Sequence, residues 1–433
     1  MNRVFEACGP AMKVWKRLVS SGHRSFIAGG AVRDSLLGRE VHDLDIVTEA
    51  RPEEVMALFS WVGPERVGRQ FPLVLVRGVE VATLRGETLE EDLLARDLTI
   101  NAMAWDPEKE ELIDPWGGRR DIDSNVLRFT EDGVSRITED PLRMLRMARF
   151  SADLDWPVAS ESIAAMKAQK EQMEKVAFER IHHEIMKAMA GKRASRFFEV
   201  ALESGILSSL FPAMIESVGH DGAHHHDETV WEHMMMAADA ISPRFPLLRL
   251  AMALHDMAKP GCAQWSEKGL RFIGHEKVGE PMVARDLKHL GFSNWERAYV
   301  AKIVRHHMRR IAEETTPKAV RRILRDLAAS ELPWRDWMRG VIADAKANRK
   351  KKGGYSLSEI RQMVRAVYDE IHPLNEGAYT LSHLDVKGDD LMEYLKISRG
   401  PEVGRILKAL LEKVIEDPSL NRRERLLREA KKM

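Results

Sequence analysis

Cysteine is nearly absent from this sequence of 433 residues, which contains only Cys8 and Cys262. Two distant cysteines exclude a disulfide framework and a cysteine-based zinc cluster. Long apolar runs are also missing, so we expect a cytoplasmic protein without a membrane-spanning segment or signal peptide. No charge of one sign is in excess, because 67 basic residues balance 67 acidic residues. Net charge therefore gives no indication of a nucleic-acid partner.

The chain is long enough to contain several domains, because a single hydrophobic core stops growing at about 250–300 residues. Its first third contains short alternating apolar runs separated by turn formers, which favours a small sheet. From residue 138 onward the apolar residues follow helical spacing. We therefore predict an α+β protein in which a small N-terminal mixed sheet is followed by a mostly α-helical remainder.

A glycine turn and two aspartates dominate the pattern in residues 25–48. A short predicted strand ends at Gly29 and Gly30, and a short helix is predicted after it. Polar and apolar residues then alternate, which predicts a strand that carries Asp43 and Asp45 on one face. Two adjacent carboxylates repel each other unless a cation lies between them, and their hard oxygen atoms suit Mg²⁺.

The glycine turn predicts a phosphate site beside these aspartates. Glycine has no side chain, so the backbone N–H groups near Gly29 and Gly30 can approach a phosphate closely, and Arg33 adds a charged donor. An Asp-x-Asp pair alone is usually a solvated strand face, and a Gly-Gly pair alone is usually a turn. Together, in this order, they indicate a metal-and-phosphate site for nucleotidyl or phosphoryl transfer.

Two later segments carry polar side chains that suit a nucleotide. Arg96, Asp97 and Asn101 combine a cation, an acceptor and an amide, which can hydrogen-bond ribose hydroxyls and a triphosphate. Considered without the other motifs, these three residues would be interpreted as the polar N-terminus of a helix.

Residues 138–150 predict a helix that Thr138 caps. Asp140 and Arg143 are i,i+3 neighbours on it, and Arg146 follows. These side chains are either surface ion pairs or readers of a nucleobase edge. A carboxylate can accept from the cytosine amine, and a guanidinium can donate to base acceptors.

A second constellation lies in residues 213–348, where imidazole and carboxylate groups recur in separate helical segments. Helical bundles build metal sites from side chains of several helices in this way. The adjacent His255 and Asp256 are the most specific part, whereas the histidines at 224–226 are interpreted as a polar loop. The candidate ligands for a divalent metal are His233, His255, Asp256, His275, His306 or His307, and Asp344.

Later helices carry further charged groups. Glu179, Arg180 and Glu184 are predicted to tie neighbouring helices together. Residues 302–325 and 349–352 are strongly basic. Their cations are either solvated helix faces or contacts to an RNA backbone, where neutralisation of phosphates supplies most of the affinity.

Taken in order, these motifs resemble those of bacterial class II tRNA nucleotidyltransferases, the family that includes CCA-adding enzymes and bacterial poly(A) polymerases. The resemblance covers residues 25–210 and the tail near residues 388–401, and the middle region resembles an HD metal-dependent phosphohydrolase domain. The motifs that carry it are Gly29-Gly30-Ala31-Val32-Arg33-Asp34, Asp43-x-Asp45, Arg96-Asp97-x-x-x-Asn101, Glu139-Asp140-x-x-Arg143 and Glu179-Arg180.

The resemblance implies a polymerase-beta-like palm in which Asp43 and Asp45 are catalytic and hold two Mg²⁺ ions. The implied nucleotide-binding residues are Gly29, Gly30, Arg33, Arg96, Asp97, Asn101, Asp140, Arg143 and Arg146. Asp140 and Arg143 would select the base, and the implied partners are the tRNA 3′ end and CTP, with ATP as a further substrate in some members. The implied domains are a catalytic head (1–130), a helical neck (131–212), an HD-type helical domain (213–348) and a tRNA-binding helical tail (349–433).

Two departures from the family pattern affect the expected product. Ala95 precedes Arg96 where members often have a second arginine. Only residues 86–95 separate Arg85 from Arg96, whereas CCA- and A-adding relatives have a longer flexible loop there, which is associated with reshaping the pocket for ATP. Enzymes that add only CC resemble this sequence in lacking that loop. We therefore predict CC addition, with a separate A-adding enzyme in the same cell.

Other functions stay open at this point. Within the family they are full CCA addition, A addition and poly(A) polymerisation, and poly(A) polymerases are usually more basic than this chain. A different class is a metal-dependent phosphatase or cyclic phosphodiesterase that uses the histidine constellation, with the head binding RNA.

Overall fold

The computed structural model describes residues 5, 8–41, 44–67, 73–222, 227–267, 269–312, 314–349, 354–371 and 379–433. Asp43, the histidines at 224–226 and the lysines at 350–352 lie outside these residues. The chain divides into two compact units, Met1–Ser209 and Leu210–Met433. Among the described helices, none combines the length and the apolar character that crossing a membrane requires.

The sheet that the sequence predicts lies in the first unit and is mixed. Its described strands are Ser25–Ala28 (β1), Asp45–Thr48 (β2), Glu65–Val67 (β3), Leu73–Val76 (β4), Val79–Thr83 (β5), Ala104–Asp106 (β6) and Glu111–Ile113 (β7). Their order is β3-β4-β5-β2-β1-β6-β7. β2 pairs with β5 in parallel, and the other neighbours are antiparallel. β2 is central, and Asp45 at its start pairs with Ala28 of β1, one residue before the pairing with β5 begins.

β4 and β5 form a hairpin that turns at Arg77 and Gly78. Val76 pairs with Val79, and the two residues between them, Arg77 and Gly78, have φ of 51° and 81°. Two successive positive φ angles match the twist of the flanking strands and close a two-residue hairpin. The register of the hairpin is therefore set by Arg77 and Gly78.

Helices make up most of the remainder of the first unit. They are Gly9–Ser20, Gly30–Leu36, Pro52–Leu58, Leu89–Leu94, Gly118–Asp123, Gly133–Glu139, Leu142–Leu154, Ser160–Gln169, Phe178–Met189, Ser195–Ser204 and, at the boundary, Leu207–Leu210. Ile181 and Ile185 are buried one turn apart on Phe178–Met189, which packs against Leu142–Leu154. This i,i+4 spacing is the helical periodicity seen in the sequence.

The predicted helix cap at Thr138 is wrong. Thr138 lies in the last turn of Gly133–Glu139, and its hydroxyl donates to the Val134 carbonyl (2.8 Å). Pro141 disfavours the helical conformation in the residue before it, so Asp140 is extended at φ −148° and ψ 101°. The next helix starts at Leu142, whose N–H donates to Asp140 Oδ1 (3.2 Å).

The second unit is built from helices and one hairpin. Its described helices are Val230–Asp239, Pro246–Leu254, His275–His289, Asn294–His306, Pro317–Ala329, Trp334–Ala347, Leu357–Ile371, Gly388–Leu395, Pro401–Glu416 and Arg423–Ala430, and its strands are Ala263–Ser266 and Gly269–Phe272. Apolar residues between Leu384 and Ala430 form a hydrophobic cluster of their own. The predicted α+β class, with a mixed sheet in the N-terminal part and a mostly helical remainder, is confirmed, and the hairpin at 263–272 is an additional two-stranded sheet.

Candidate active site

The turn after β1 requires a residue without a side chain. Gly29 has φ 76° and ψ −129°, a conformation that an L-residue adopts only with strain. Its N–H donates to the Met103 carbonyl (3.0 Å). A Cβ on Gly29 would lie 2.5 Å from Nη1 of Arg96. The backbone conformation therefore favours glycine here, and a Cβ would also displace the end of the Arg96 side chain.

A cavity of about 1180 Å³ opens beside this turn in the first unit. It is lined by Gly29, Gly30, Arg33, Asp45, Arg85, Ala95, Arg96, Asp97, Asn101, Glu139, Asp140, Pro141, Leu142, Arg143, Arg146, Phe150 and Arg180. All nine nucleotide-binding residues implied by the sequence line this cavity. Asp45 also lines it, whereas Asp43 lies outside the described residues.

Four of these side chains form a continuous hydrogen-bonded chain. Arg33 Nη1 donates to Asn101 Oδ1 (2.6 Å), and Asn101 Nδ2 donates to Asp97 Oδ1 (3.0 Å). The other oxygen of Asp97 accepts from Arg146 Nε (2.7 Å). Burial alone would raise the pKa of Asp97, but the Arg146 guanidinium and the Asn101 amide lower it to about 2. Asp97 is therefore ionised at neutral pH.

Two residues that the sequence does not single out as site residues support this side of the cavity: Arg85 lines it, and Asp92 lies behind it and holds Arg96. Asp92 is buried and accepts from Arg96 Nη2 (3.1 Å) and from the backbone N–H of Arg85 (3.2 Å). The Arg85 guanidinium donates to the Ala95 carbonyl (3.3 Å). The i,i+4 spacing of Asp92 and Arg96 is a signal that the sequence does contain. Asp92 thus fixes both ends of the segment that joins β5 to the predicted ribose-binding motif.

Arg143 is held by two backbone carbonyls and one carboxylate. Its Nη2 donates to the Ala95 carbonyl (2.8 Å), and its Nη1 donates to the Arg136 carbonyl (3.1 Å) and to Glu139 Oε2 (2.8 Å). These contacts fix the plane of the guanidinium in the cavity.

Of the three residues predicted to tie neighbouring helices together, Glu179, Arg180 and Glu184, the last two make such contacts. Arg180 donates to both oxygens of Asp140, at 2.7 and 3.2 Å. Glu184 is buried and accepts from Arg149 Nε at 2.5 Å. Both contacts connect Phe178–Met189 with the segment that carries the predicted base reader.

The charge of the cavity suits a polyanion. Its lining contains six arginines (33, 85, 96, 143, 146 and 180) and four carboxylates (45, 97, 139 and 140), a formal excess of two positive charges. A triphosphate is attracted to such a cavity.

Asp45 fits a divalent metal ion at this position. It is the first residue of β2 and pairs across the sheet with Ala28, the residue before the glycine turn. Asp45 therefore lies next to the predicted phosphate site. Carboxylate oxygens next to a phosphate are the usual surroundings of Mg²⁺.

A second group of polar side chains is buried in the second unit. Asp344 Oδ1 lies 2.9 Å from His233 Nε2 and 3.5 Å from His255 Nε2. Asp256 Oδ2 lies 3.1 Å from the same His255 nitrogen. Burial alone would lower the pKa of His255, but Asp256 and Asp344 raise it to about 9. The negative potential that does so also favours a metal cation.

His307, and not His306, belongs to this cluster. His307 Nε2 lies 3.1 Å from His275 Nε2 and 3.4 Å from Asp256 Oδ1, and His275 Nε2 lies 3.1 Å from the same oxygen. His306 instead has its Nε2 2.9 Å from Ser330 Oγ. The structure therefore brings together the five residues that the sequence names without an alternative, and of the two histidines that it leaves open, His307 is the one in the cluster.

These atoms fit a metal site. The Nε2 atoms of His255, His275 and His307 and both oxygens of Asp256 are buried and lie within 3.4 Å of one another in neighbouring pairs, as expected for groups directed at a shared central ion. Two sets of three residues have ligand atoms within 4.8 Å of one another, and they are His233, His255 and Asp344, and His255, Asp256 and His307. Imidazole and carboxylate ligands suit several transition metals.

The basic stretch at residues 302–325 is neutralised by acidic side chains within the second unit. The ion pairs are Lys302–Glu331, Arg305–Glu280, Arg309–Asp326, Arg310–Asp344, Lys318–Glu416, Arg321–Glu370, Arg322–Glu416 and Arg325–Glu412. Every lysine and arginine in this stretch has a carboxylate partner. The structure thus favours an intramolecular role over contacts with an RNA backbone.

Comparison with known proteins places this site in context. A model described as the poly A polymerase head domain matches residues 25–128, and one for a proposed RNA- and SrmB-binding site of polymerase A matches residues 157–217. A model for domain 2 of tRNA nucleotidyltransferases matches residues 275–430.

Curated relatives and a solved structure are also similar. The CC-adding tRNA nucleotidyltransferase of Shouchella clausii is 39% identical over 202 residues, which are 46% of this chain and 53%, about half, of that protein. The multifunctional CCA protein of Chromobacterium violaceum is 34% identical over 339 residues, 72% of this chain and 81% of that protein. The Bacillus stearothermophilus CCA-adding enzyme, crystallised with CTP, matches with a TM-score of 0.70 and 25% identity over 98% of this chain and 96% of that one.

Proposed function

This chain belongs to the family of tRNA nucleotidyltransferases and poly(A) polymerases, and we propose that it transfers cytidylate from CTP to the 3′ end of immature tRNA. The observation that carries the proposal is that one cavity of the first unit collects the predicted residues. It combines the glycine turn, Asp45, the chain from Arg33 to Arg146, and the pair Asp140 and Arg143.

The proposed reaction forms a phosphodiester bond between the RNA 3′-hydroxyl and the α-phosphorus of CTP, and pyrophosphate leaves. Asp43 and Asp45 would hold two Mg²⁺ ions, which when bound stabilise the attacking and leaving oxygens. The glycine turn and Arg33 would bind the triphosphate through backbone N–H groups and a guanidinium. The formal excess of positive charge in the cavity supports this assignment.

The remaining cavity residues would orient the nucleoside. Asn101 and Asp97 have their side chains fixed by each other, by Arg33 and by Arg146, so they offer preset partners to ribose hydroxyls. A carboxylate has about four lone-pair sites, so Asp140 can accept from a cytosine amine while Arg180 holds it. Preset donors and acceptors reduce the entropy that is lost when the nucleotide binds.

The connection between Arg85 and Arg96 supports addition of CC only. Six of its ten residues form the helix Leu89–Leu94, and Thr88 Oγ1 accepts from the Glu91 N–H (3.2 Å) in a capping box. Asp92 ties the residues at both ends. A segment this short and this extensively bonded has little freedom to reshape the cavity for a second base. The proposal therefore includes a separate A-adding activity that completes the tRNA end.

Proteins named for CC addition and for full CCA addition are both similar to this chain, so the choice between them depends on this connection. Full CCA addition, A addition and poly(A) polymerisation are the alternatives, and they yield products of different length and composition.

The transfer reaction is tested with the full chain, a tRNA transcript that lacks CCA, CTP and Mg²⁺. We expect incorporation, and we expect Asp45→Asn to lower its rate by about three orders of magnitude, because a catalytic metal contributes several kcal/mol. Asp123→Asn is the matched control, since Asp123 is an exposed carboxylate that pairs with Arg119. Incorporation by Asp45→Asn at the rate of the unsubstituted chain would refute the assignment.

The buried histidine cluster supports a second candidate function, metal-dependent hydrolysis of phosphate esters. His233, His255, Asp256, His275 and Asp344 would hold a divalent metal, together with His307. Lys259 Nζ lies 2.5 Å from Asp256 Oδ2, and Arg310 Nη2 lies 2.8 Å from Asp344 Oδ2. Two cations at the edge of a metal cluster suit a phosphate-containing substrate.

The four segments expected from the sequence remain our proposal for the functional subdivision. They are the head (1–130), the neck (131–212), an HD-type domain (213–348) and a tRNA-binding tail (349–433). The separate hydrophobic cluster between Leu384 and Ala430 supports treating the tail as a segment of its own.

A further inference from the structure

Three guanidinium groups surround the aromatic ring of Phe150 in the first unit. The guanidinium carbon of Arg149 lies 3.8 Å from the ring centroid, that of Arg33 lies 5.2 Å away and that of Arg146 lies 5.8 Å away. Phe150 is 4% exposed and lines the nucleotide cavity. A cation within about 6 Å of an aromatic face is attracted by the negative face of the ring.

Each of these arginines also holds one carboxylate. The pairs are Arg33 with Asp34 (2.8 Å), Arg146 with Asp97 (2.7 Å) and Arg149 with Glu184 (2.5 Å). Three cations around one ring would repel one another, and the three carboxylates offset part of that repulsion. The aromatic ring attracts the three guanidinium groups as well. This attraction depends on position, because it acts only when a cation lies over the face of the ring.

The three arginines come from two different elements. Arg146 and Arg149 lie on Leu142–Leu154. Arg146 is one helical turn before Phe150, and Arg149 is the residue that directly precedes it. Arg33 lies on Gly30–Leu36, the helix that starts at the glycine turn. The ring therefore connects the helix of the proposed base reader with the helix of the proposed phosphate site.

We propose that Phe150 is a positioning residue for nucleotide binding. Its aromatic face holds Arg33 and Arg146 in the orientation in which Arg33 contacts the triphosphate and Arg146 fixes the ribose-binding Asp97. This inference rests on the proposed nucleotidyl transfer. Phe150 acts through these side chains and not on the reacting atoms.

The test uses isosteric changes at this ring. Phe150 is replaced in the full chain by mono-, di- and trifluorinated phenylalanine, which weaken the negative face of the ring step by step and change its size little. The dissociation constant for CTP with Mg²⁺ is measured for each protein. We expect a stepwise rise of about tenfold across the series, equivalent to about 1.4 kcal/mol. The KM for CTP should rise in parallel, while kcat and the thermal midpoint stay close to those of the unsubstituted chain.

Phe59 gives the matched control. It is as buried as Phe150 in the same unit (3% exposed), and it is not among the residues that line the cavity. Fluorination there should leave the affinity for CTP unchanged. Unchanged affinity across the Phe150 series, in a chain that binds CTP and extends tRNA, would overturn the positioning role alone. A chain that neither binds CTP nor extends tRNA would instead overturn the proposed function on which the inference rests.

Discussion

Arg180 holds the carboxylate of Asp140 through both of its oxygens, at 2.7 and 3.2 Å. The planar guanidinium fork matches a carboxylate in this arrangement and fixes its direction as well as its charge. Arg143, the other half of the proposed base reader, is fixed by the Ala95 carbonyl. The two groups that would recognise cytosine are thus oriented by neighbouring side chains and backbone.

Replacing the planar guanidinium of Arg180 by the ammonium group of lysine should weaken the discrimination between bases. Arg180→Lys keeps the positive charge and removes the two-point contact with Asp140. We expect kcat/KM for CTP to fall by about tenfold and that for UTP to fall less, since a two-point base contact contributes about 1–3 kcal/mol of discrimination. Single-turnover rates with each nucleotide measure the effect. Arg119→Lys, at an exposed pair with Asp123, is the control, and unchanged discrimination in Arg180→Lys would contradict the proposed role.

A methyl group at the glycine turn should impair nucleotide binding. In Gly29→Ala the new Cβ would meet Nη1 of Arg96 at 2.5 Å, so we expect the dissociation constant for CTP to rise at least about tenfold, since displacing one charged hydrogen-bonding group costs more than 1.4 kcal/mol. Gly63 also has a positive φ, 64°, and a Cβ there would meet nothing within 4 Å. Gly63→Ala should lower the free energy of unfolding by about 1 kcal/mol and leave CTP binding unchanged. Equal CTP affinity in both variants would argue against the close approach of Arg96.

The two proposed sites should fail independently. Asp256→Asn should remove the metal bound by the second unit and lower hydrolysis of a cyclic nucleotide by about three orders of magnitude, while tRNA extension continues. Asp45→Asn should slow tRNA extension and leave the metal of the second unit and the hydrolysis of the cyclic nucleotide unchanged. Elemental analysis of the dialysed protein, with both assays, measures these outcomes.

The matched control for this experiment is His306→Asn, because His306 is next to the cluster in sequence and contacts Ser330 instead. It should retain the metal. Cyclic-nucleotide hydrolysis that persists in Asp256→Asn, or a chain that binds no metal there, would remove the second candidate function.

The basic stretch at residues 302–325, whose side chains pair with carboxylates, should contribute little to RNA binding. Lys318 and Arg322 share Glu416 as their partner, so we expect Lys318→Met combined with Arg322→Met to leave the salt dependence of tRNA affinity unchanged. Had both contacted phosphates, the slope of log K against log salt would become about 2 units less steep. Filter-binding titrations over a range of KCl concentrations decide between the two outcomes.

The sequence reveals the parts of the site that depend on local pattern. The glycine turn, the strand that carries Asp45 and the predicted ribose-binding motif are short segments whose residue types and spacing already indicate their local structure. The strand is shorter than predicted at its start, because it begins at Asp45 and Leu44 is not part of it. The convergence of these three segments on one cavity follows from the resemblance to a known family. Thr138 shows the limit of such reasoning, because its capping signal was weaker than the effect of Pro141 on the preceding residue.

The parts that the sequence conceals depend on distant partners. Glu412 and Glu416 neutralise basic residues about ninety positions earlier in the chain, and no local pattern marks them as partners. The choice between His306 and His307 depends on which way each side chain points at the end of a helix. Phe150 has the spacing of an ordinary core residue, and only the approach of Arg33 from another element makes its ring the centre of three cations.

The length of the product on tRNA tests the central claim most directly. Transcripts that end in the discriminator base, in C or in CC are incubated with the full chain and Mg²⁺, with CTP, ATP or both, and the products are resolved at single-nucleotide length. The short, bonded connection between Arg85 and Arg96 predicts that extension stops at CC even when ATP is present. Extension to CCA would contradict the CC-only account and leave the family assignment intact.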